Sequence, residues 1–538
     1  MNKQTTAFHL ESVPHRTKDK VYYTHLLRNS YREDGKVKHQ TIANLSCLPP
    51  DAIEALRKIL NGKKLVEADQ AFTIHSSRSH GAVHAVLATI RKIGLDKILL
   101  SYDTPWRRAA IGLIVARILN PGSKLFTAGW WQQTTLPEEL GLEGTDPNPL
   151  YRAMDELVEH QEAIQRKLAA RHLQEGCLVL YDLSSTYLEG DCCPLAAYGH
   201  NRDGKKGKKQ FNYGLLTTAA GCPIAIEVFP GNRSDSLTVE GQVRNLKEKY
   251  RFERIIFVGD RGMITSAQLP QLEQLGYGWI TALRAKDIQR LNAAGCIQLS
   301  LFDEQNIAEI TDPERPGERL VACRNPFMAE ERTRKRAELL EATGQELQKI
   351  AQRVSKGKLK EASAIGVAVG KVINRWKVAK HFALEIRDGF FSFKRKEDSI
   401  ERERCLDGIY IIRSNVAKSE LSAEQLANGY KSLQYVEQDF RTMKTTHLEM
   451  RPVYHRLEDR VKAHAFLCML SGYVIWHIRR SWEPVLQNPK ISLKLLFEKL
   501  GSIQRNSAEV AGRSFDIVTR ANDEQRELFR LLGVQAPL

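Results

Sequence analysis

Two carboxylates, 78 positions apart, follow similar apolar runs. Asp182 follows the run 178–181, and Asp260 follows the run 255–258 and precedes Gly262. Such runs predict buried strands, and neighbouring strands of a mostly parallel sheet end at one edge, so we expect the two acids to converge. Two close carboxylates repel each other unless a hard divalent cation neutralises them. The alternative role for each acid alone is to cap a following helix.

A third acid lies on a predicted helix over residues 430–444. One face of that helix carries, at offsets of 3, 4, 4 and 3, the residues Tyr430, Leu433, Glu437, Arg441 and Lys444. This face could lie against the strand-end acids. A solvated Glu437–Arg441 pair is the alternative, worth a few tenths of a kcal/mol on an isolated helix. Asp439 projects about 160° from Glu437, so Glu437 is the expected metal ligand.

Composition points to a nucleic-acid partner. The 538 residues contain 80 Lys and Arg against 64 Asp and Glu, a net charge of +16, and suggest about three or four domains. The longest apolar run near the C-terminus, 466–476, is too short to span a membrane, and no apolar signal core starts the chain, so we expect no membrane contact and a cytoplasmic location. The nine cysteines form no Cys-x-x-Cys pair, so zinc is not expected.

The first 172 residues are expected to form two regions. Residues 1–75 predict a small unit, with hairpin arms at 21–30 and 36–45 around Asp34-Gly35 and a helix at 50–60. Residues 76–172 predict a helical, DNA-binding region. Its expected phosphate contacts are Arg107, Arg108, Arg117 and Lys124.

The remaining regions alternate strands and helices. Residues 173–285 predict three strands followed by a helix–strand alternation, which resembles the ribonuclease-H-like order; residues 286–408 predict an insertion domain with strands and a long charged helix. Residues 409–480 return to the core, and 481–538 predict a helical C-terminal region. The excursion 201–209 suits phosphate binding, or is a plain solvated loop, and its basic residues are Arg202, Lys205, Lys206, Lys208 and Lys209.

Together, these residues resemble the three-acid signature of DDE-type bacterial insertion-sequence transposases. The relevant branch is marked by Tyr-x2-Arg-x3-Glu-x6-Lys, which this chain matches at Tyr430, Glu437 and Lys444, with Leu433 at the arginine position. The residues around Asp182 and Asp260 and the stretch 447–455 also resemble that family. The similarity extends over about residues 20–480.

The resemblance implies an α/β ribonuclease-H-like core with a β-containing insertion domain, an N-terminal hairpin, a helical DNA-binding region and a helical C-terminus. It implies that Asp182, Asp260 and Glu437 are the catalytic residues and the ligands of two Mg²⁺ ions about 3.5–4 Å apart, with Mn²⁺ as a substitute. The residues expected to bind DNA are Lys444, Arg441, Tyr430 and Arg261, with Lys205, Lys206, Lys208 and Lys209 from the excursion.

The implied function is transposition of an insertion sequence. The enzyme would bind double-stranded DNA at terminal inverted repeats and at the target, cut it, and join the strands, acting as a homodimer when two ends are paired, in a bacterial or archaeal cytoplasm on the nucleoid. Two alternatives remain: an endonuclease on the same core that cuts without joining, and a catalytically inactive, transposase-derived DNA-binding protein. Retention of the three acids and Lys444 argues against the second.

Overall fold

The computed structural model describes residues 7–17, 20–33, 36–63, 65, 72–142, 144, 146–190, 192–200, 202, 204–205, 207–297, 302, 306–510 and 513–538. The chain divides into two compact units, one of Met1–Arg78 with Gln504–Thr519 and the other of Ser79–Ile503 with Arg520–Leu538. The predicted turn at Asp34-Gly35 and the predicted DNA contact Lys206 lie outside the described residues.

The first unit is built on two small sheets. Its described strands are β1 (Ala7–Arg16), β2 (Val21–Glu33), β3 (Lys36–Asn44) and β4 (Thr73–Ser79), followed near the end of the chain by β15 (Gln504–Val510) and β16 (Arg513–Val518). The sheet orders are β1-β2-β3 and β16-β15-β4, and α1 (Pro50–Leu60) begins with Pro50 in its first turn. The predicted hairpin arms correspond to β2 and β3. Strand β1 contains Pro14, which an edge strand tolerates because its N–H side faces solvent.

The C-terminal region was expected to be helical, but it also contains two strands, β15 and β16. Strand β15 pairs with β4, which is more than 400 positions earlier in the chain. Ser77 Oγ donates a hydrogen bond of 2.6 Å to Oδ1 of Asn506 across this pair. A short polar strand whose partner is so distant in the chain cannot be recognised as a strand from its own residues.

The second unit begins with a helical region. Its elements are α2 (Gly81–Lys92), α3 (Leu95–Leu99), α4 (Pro105–Leu119), α5 (Lys124–Trp131), α6 (Leu136–Leu140), α7 (Asn148–Glu159) and α8 (Gln161–His172). Arg117 and Lys124, predicted to contact phosphates, are only 6% and 2% exposed, so that prediction is wrong. Arg117 instead donates hydrogen bonds to the backbone carbonyls of Leu448 (3.3 Å) and Gly122 (3.0 Å), which uses its guanidinium inside the fold.

A mixed sheet of eight described strands forms the centre of this unit. The strands are β5 (Leu178–Tyr187), β6 (Gln210–Thr218), β7 (Pro223–Pro230), β8 (Ile256–Val258), β9 (Gly278–Ala282), β10 (Ile307–Ile310), β11 (Arg319–Arg324) and β14 (Ile409–Ser414). They lie in the order β10-β11-β14-β9-β8-β5-β6-β7. Strands β5, β6 and β7 are antiparallel, whereas β8 pairs in parallel with β5 and with β9. The connecting helices are α9 (Ser236–Glu248), α10 (Leu269–Gln274) and α11 (Ala285–Ala293).

The segment between β11 and β14 leaves the sheet. It consists of α12 (Pro326–Ser355), α13 (Ala362–Ile373), β12 (Phe382–Arg387), β13 (Phe390–Arg395) and α14 (Glu397–Arg404). A core of its own, which includes Leu347, Ile365 and Phe391, holds these elements together. Strands β10 and β11, predicted as parts of the insertion, pair with each other and with β14 in the central sheet.

The last elements of this unit are helical, and several of them pack against the sheet. They are α15 (Ala423–Lys431), α16 (Leu433–Arg441), a π-helical turn (Thr442–Thr446), α17 (Glu458–Ser481), α18 (Glu483–Leu486), α19 (Leu493–Gly501) and α20 (Asp523–Leu532). Among the described helices, α17 and the bent pair of α4 and α5 are long and apolar enough to cross a membrane. However, 83% of the apolar window of α17 is buried, and this helix packs against β7, α4 and α7 as a core helix.

Candidate active site

Asp182 lies inside a strand rather than at its end. The parallel pairing of β5 with β8 ends at Leu180, which is opposite Val258, but β5 continues beside β6 as far as Tyr187. The prediction that the strand stops before Asp182 is therefore wrong, because the antiparallel partner extends it. Oδ1 of Asp182 accepts a hydrogen bond of 2.7 Å from the N–H of Leu183. Since β5 runs on beyond this acid, the alternative of helix capping does not apply to it.

Asp260 lies level with Asp182 along the sheet. Each acid follows its member of the Leu180–Val258 pair by two residues. Oδ1 of Asp260 also accepts hydrogen bonds from the N–H groups of Gly262 (2.9 Å) and Met263 (2.7 Å), so this carboxylate caps the turn that follows β8. Asp260 therefore has both expected roles: it caps the turn after β8, and it lies at the edge of the sheet.

Glu437 comes from α16, which packs against β5 and β6. Val436 and Phe440 are buried beneath the helix, and the ring of Phe440 meets Tyr213 edge-on with 5.4 Å between centroids, whereas Glu437 itself is exposed. The helix predicted over 430–444 is not continuous: Tyr430 belongs to α15, and a turn at Ser432 separates α15 from α16.

Lys444 lies in the π-helical turn that follows α16. A π-turn inserts an extra residue into the helical repeat, so Lys444 does not continue the predicted face of Glu437. Such turns occur frequently at functional sites.

The three acids influence one another electrostatically. Burial, followed by the charge of Asp260, raises the pKa of Asp182 to about 7, Glu437 contributes in the same direction, and the Leu183 N–H and Arg202 oppose the rise. The pKa of Tyr430 is raised to about 12 by burial and by the same three carboxylates, while Arg261 acts in the opposite direction. The structure therefore brings Asp182, Asp260, Glu437 and Tyr430 into one neighbourhood.

Asp439 belongs to a different environment, although it is only two positions from Glu437. Asp439 is 9% exposed, and its Oδ2 has no hydrogen-bond partner among the described residues. Burial raises its pKa to about 8, opposed by Arg479 on α17. Its side chain lines a separate cavity of about 690 Å³ beside α17.

Arg202 is a site residue whose importance is not apparent from the sequence. It donates a 2.9 Å hydrogen bond to the carbonyl of Leu183 and forms an ion pair with Asp235. Its place in the basic excursion gave it the same weight as the lysines nearby. Only the tertiary structure distinguishes it, because its planar guanidinium bridges two acceptors at once.

The other predicted DNA contacts differ in how exposed their side chains are. Lys205 and Lys208 are exposed, Lys209 is half-buried, and Nζ of Lys208 forms a 2.6 Å ion pair with Glu189. Arg441 and Arg261 are exposed, whereas Lys444 is half-buried.

A cleft of about 530 Å³ lies between the core and the inserted segment. Arg261 and Tyr430 line it from the core, and Trp376, Lys335 and Lys380 line it from the insertion. These insertion residues belong to no motif in the sequence that marks them as part of a site. The cleft places several cations and an aromatic ring next to the acid cluster, an arrangement suited to a polyanion.

The acid cluster fits hard divalent cations. Its donors are carboxylate oxygens, and the raised pKa of Asp182 reflects burial together with uncompensated negative charge, which a cation would relieve. A second group of possible metal ligands lies elsewhere in the described part of the chain. It consists of His172, Cys222 and His477, whose ligand atoms all lie within 4.8 Å of one another.

Two family models match the chain. Residues 10–71 match the "IS1634 family transposase, N-terminal domain", and residues 186–472, more than half of the chain, match the "Transposase DDE domain". The chain belongs to the DDE transposase family. The DDE match contains Asp260 and Glu437 and begins four residues after Asp182.

Other comparisons of this transposase add little. No curated protein matches it. Among solved structures, a chain from "Cryo-EM structure of piggyBac transposase synaptic complex with hairpin DNA (SNHP)" is similar, with 10% identity and a TM-score of 0.35, over 78% of this chain and 76% of that chain. That similarity is too low to support an argument about the fold.

The family match confirms the predicted resemblance and the predicted function. The protein is a DDE transposase of an insertion sequence, and DNA is its substrate. DDE domains generally use divalent metal ions, in agreement with the carboxylate cluster.

Proposed function

We propose that this transposase cuts the ends of its own insertion sequence and joins them to target DNA at one site formed by Asp182, Asp260 and Glu437. The observation that carries the proposal is the position of Asp182 and Asp260, both two residues beyond the paired residues Leu180 and Val258. The interaction of Glu437 with Asp182 supports the third member. The strand order β7-β6-β5-β8-β9 supports a ribonuclease-H-like core.

The same three carboxylates would hold two Mg²⁺ ions, for which Mn²⁺ would substitute. When bound, such ions lower the pKa of an attacking water or 3′-hydroxyl and stabilise the departing oxygen of a phosphodiester. The protein's own part is to fix the carboxylates. The Leu183 N–H holds Asp182, and the turn at residues 260–263 holds Asp260.

The cationic residues around the acids would bind the DNA backbone. Lys444 and Arg441 follow Glu437 along the chain, and Arg261 and Tyr430 line the cleft beside the acids. The lysines of the excursion, Lys205, Lys206, Lys208 and Lys209, would add phosphate contacts. These contacts orient the scissile strand without reading its sequence.

We propose that the DNA partners are the terminal inverted repeats and a double-stranded target. Joining two element ends requires two active sites, so a homodimer is the expected assembly, in a bacterial or archaeal cytoplasm. The domain boundaries that we propose are 1–75, 76–172, 173–285, 286–408, 409–480 and 481–538. Within 286–408, the elements from α12 to α14 form the part with a separate core.

A strand-transfer assay tests this proposal. The substrates are the element's own inverted repeats and a supercoiled plasmid, with Mg²⁺ or Mn²⁺, and the variants are Glu437→Gln and Asp439→Asn. Joined products should disappear in Glu437→Gln and persist in Asp439→Asn, the matched control on the same helix. Cutting without joining by the unaltered protein would favour an endonuclease, and DNA binding alone would favour an inactive derivative.

A further inference from the structure

A second group of metal-binding side chains lies apart from the acid cluster. His172 ends α8, Cys222 lies in the turn between β6 and β7, and His477 is on α17. One ring nitrogen of each histidine and Sγ of Cys222 all lie within 4.8 Å of one another. Three elements that are remote in sequence therefore place their donor atoms at one point.

The surroundings of these atoms favour a bound ion. Cys222 is 1% exposed, and Nε2 of His477 is buried with no hydrogen-bond partner among the described residues. A buried polar atom without a partner is costly, and a metal ion would provide one. Nε2 of His172 lies 2.8 Å from the Tyr473 hydroxyl, which fixes the orientation of that ring, as outer partners of histidine ligands do.

The donor set distinguishes this group from the acid cluster. Two imidazoles and a thiolate are the ligands that Zn²⁺ prefers, whereas Mg²⁺ prefers oxygen. We propose that His172, Cys222 and His477 bind a zinc ion that fastens α8 and α17 to the turn between β6 and β7. A water molecule would complete a tetrahedral site. The cysteine spacing gave no reason to expect zinc, because these ligands are scattered over about 300 positions and form no local pair.

Charged groups nearby shift the pKa values of Cys222 and His477. Burial, followed by the charges of His172, Arg171, Arg480 and Lys92, lowers the pKa of His477 to about 4. Burial raises the pKa of the Cys222 thiol, with Asp439 adding to the rise and Arg171 and Arg480 opposing it. Zinc must displace the thiol proton, and the thiolate that results offsets the repulsion from the two arginines.

The turn that carries Cys222 also supports the helix of the third acid. The indole N–H of Trp476 on α17 donates a 3.1 Å hydrogen bond to the carbonyl of Ala220. Gly221 has a φ of +77°, and a Cβ there would lie 2.6 Å from Cβ of Tyr435 on α16. A metal ion at this turn would stabilise the surface on which α16 rests.

Cobalt substitution in the full-length protein tests the site. After removal of bound metal, Co²⁺ should give a thiolate-to-cobalt charge-transfer band and the visible bands of a tetrahedral ion, and about one equivalent of Zn²⁺ should displace it. The charge-transfer band should vanish in Cys222→Ala. It should persist in Cys468→Ala, the matched control, because Cys468 is a buried thiol on α17, the helix that carries His477.

A second variant keeps the test valid if Cys222→Ala folds poorly. His477→Gln should retain the thiol but weaken zinc binding at least about tenfold. Zinc should raise the Tm of the unaltered protein and of Cys468→Ala, but not that of His477→Gln. Absence of stoichiometric zinc binding would overturn the proposal. Equal binding by Cys222→Ala would also overturn it, since exposed thiols such as Cys47 and Cys192 would then be the ligands. Neither result depends on DNA cleavage, so failure here leaves the proposed function intact.

Discussion

Arg202 is linked to Asp182 through the backbone of Leu183. Nη1 of Arg202 donates a 2.9 Å hydrogen bond to the carbonyl of Leu183, whose own N–H donates a 2.7 Å hydrogen bond to Asp182. The other end of the guanidinium forms an ion pair with Asp235, just before α9. Arg202 thus holds the strand segment that carries the first acid and places a positive charge near it.

Replacement of Arg202 should weaken the site without abolishing it. Arg202→Ala should slow cleavage roughly 10- to 100-fold, the usual effect of losing a partner that orients a metal ligand, and should increase the Mg²⁺ concentration for half-maximal rate. Arg202→Lys should recover part of the rate, because it keeps the charge but loses the forked geometry. Arg233→Ala, another arginine in the connection before α9, is the control. Equal rates in Arg202→Ala and the control would contradict a positioning role.

Replacement of Asp182 should reduce the rate of DNA cleavage but leave DNA binding largely unchanged. Asp182→Ala should reduce cleavage at least about 100-fold, beyond the loss typical of outer-sphere partners. DNA binding should remain close to normal, because removing a carboxylate lowers repulsion against phosphate. A gel shift with an inverted-repeat duplex measures binding in parallel with the cleavage rate. A variant that no longer binds DNA would show that Asp182 has another role.

Lys444 should contact the phosphate backbone of the DNA. In Lys444→Ala, binding should weaken to a similar degree for specific and unrelated duplexes, and the slope of log K against log salt should decrease by about 1. Fluorescence anisotropy over a series of salt concentrations measures both quantities. Lys249→Ala is the control, since Lys249 forms a 3.1 Å ion pair with Glu162. An unchanged slope in Lys444→Ala would place this lysine outside the DNA interface.

The buried Lys124 should make stability depend on pH. Its Nζ lies 3.4 Å from Nδ1 of His464, and burial, aided by Arg117, lowers its pKa from 10.5 to about 7. Below pH 7 both the folded and the unfolded chain carry this charge, and the folded chain bears its full burial cost. Between about pH 7 and 10.5 the unfolded chain binds the additional proton, so stability rises with pH over that range.

Lys124→Met should therefore stabilise the protein most at low pH. We expect a Tm increase of roughly 2–5 °C at pH 6 that shrinks towards pH 10. Differential scanning fluorimetry at matched ionic strength measures it, with the exposed Lys97→Met as the control. A gain in Tm that is the same at both pH values would show that Lys124 acts through packing alone.

Patterns within a single segment predicted most of the central sheet. The apolar runs before Asp182 and Asp260 became β5 and β8, and the charged stretch after residue 326 became the long helix α12. These elements follow from local properties, namely apolar continuity and helical periodicity. The convergence of the two acids also followed from sequence, because each acid lies two residues beyond the last residue of the parallel pairing between β5 and β8.

Features that depend on distant partners were not predictable. Strand β5 continues past Asp182 because β6 pairs with it, and the buried Arg117 donates a hydrogen bond to the carbonyl of Leu448, which is more than 300 positions away in the chain. The interruption of the third-acid helix at Ser432, the link from Arg202 to Leu183 and the convergence of His172, Cys222 and His477 arise in the same way. Each joins groups whose proximity only the folded chain creates.

The pairing of β4 with β15 also determines when, during translation, the first unit can complete its fold. The first unit contains residues from both ends of the chain, Met1–Arg78 and Gln504–Thr519. At about 5–20 residues per second, roughly 20 to 90 s separate the translation of β4 from that of β15. A ribosome that stops early would release a protein whose sheet of β4, β15 and β16 cannot form. Completion of the first unit therefore requires that translation has passed Thr519.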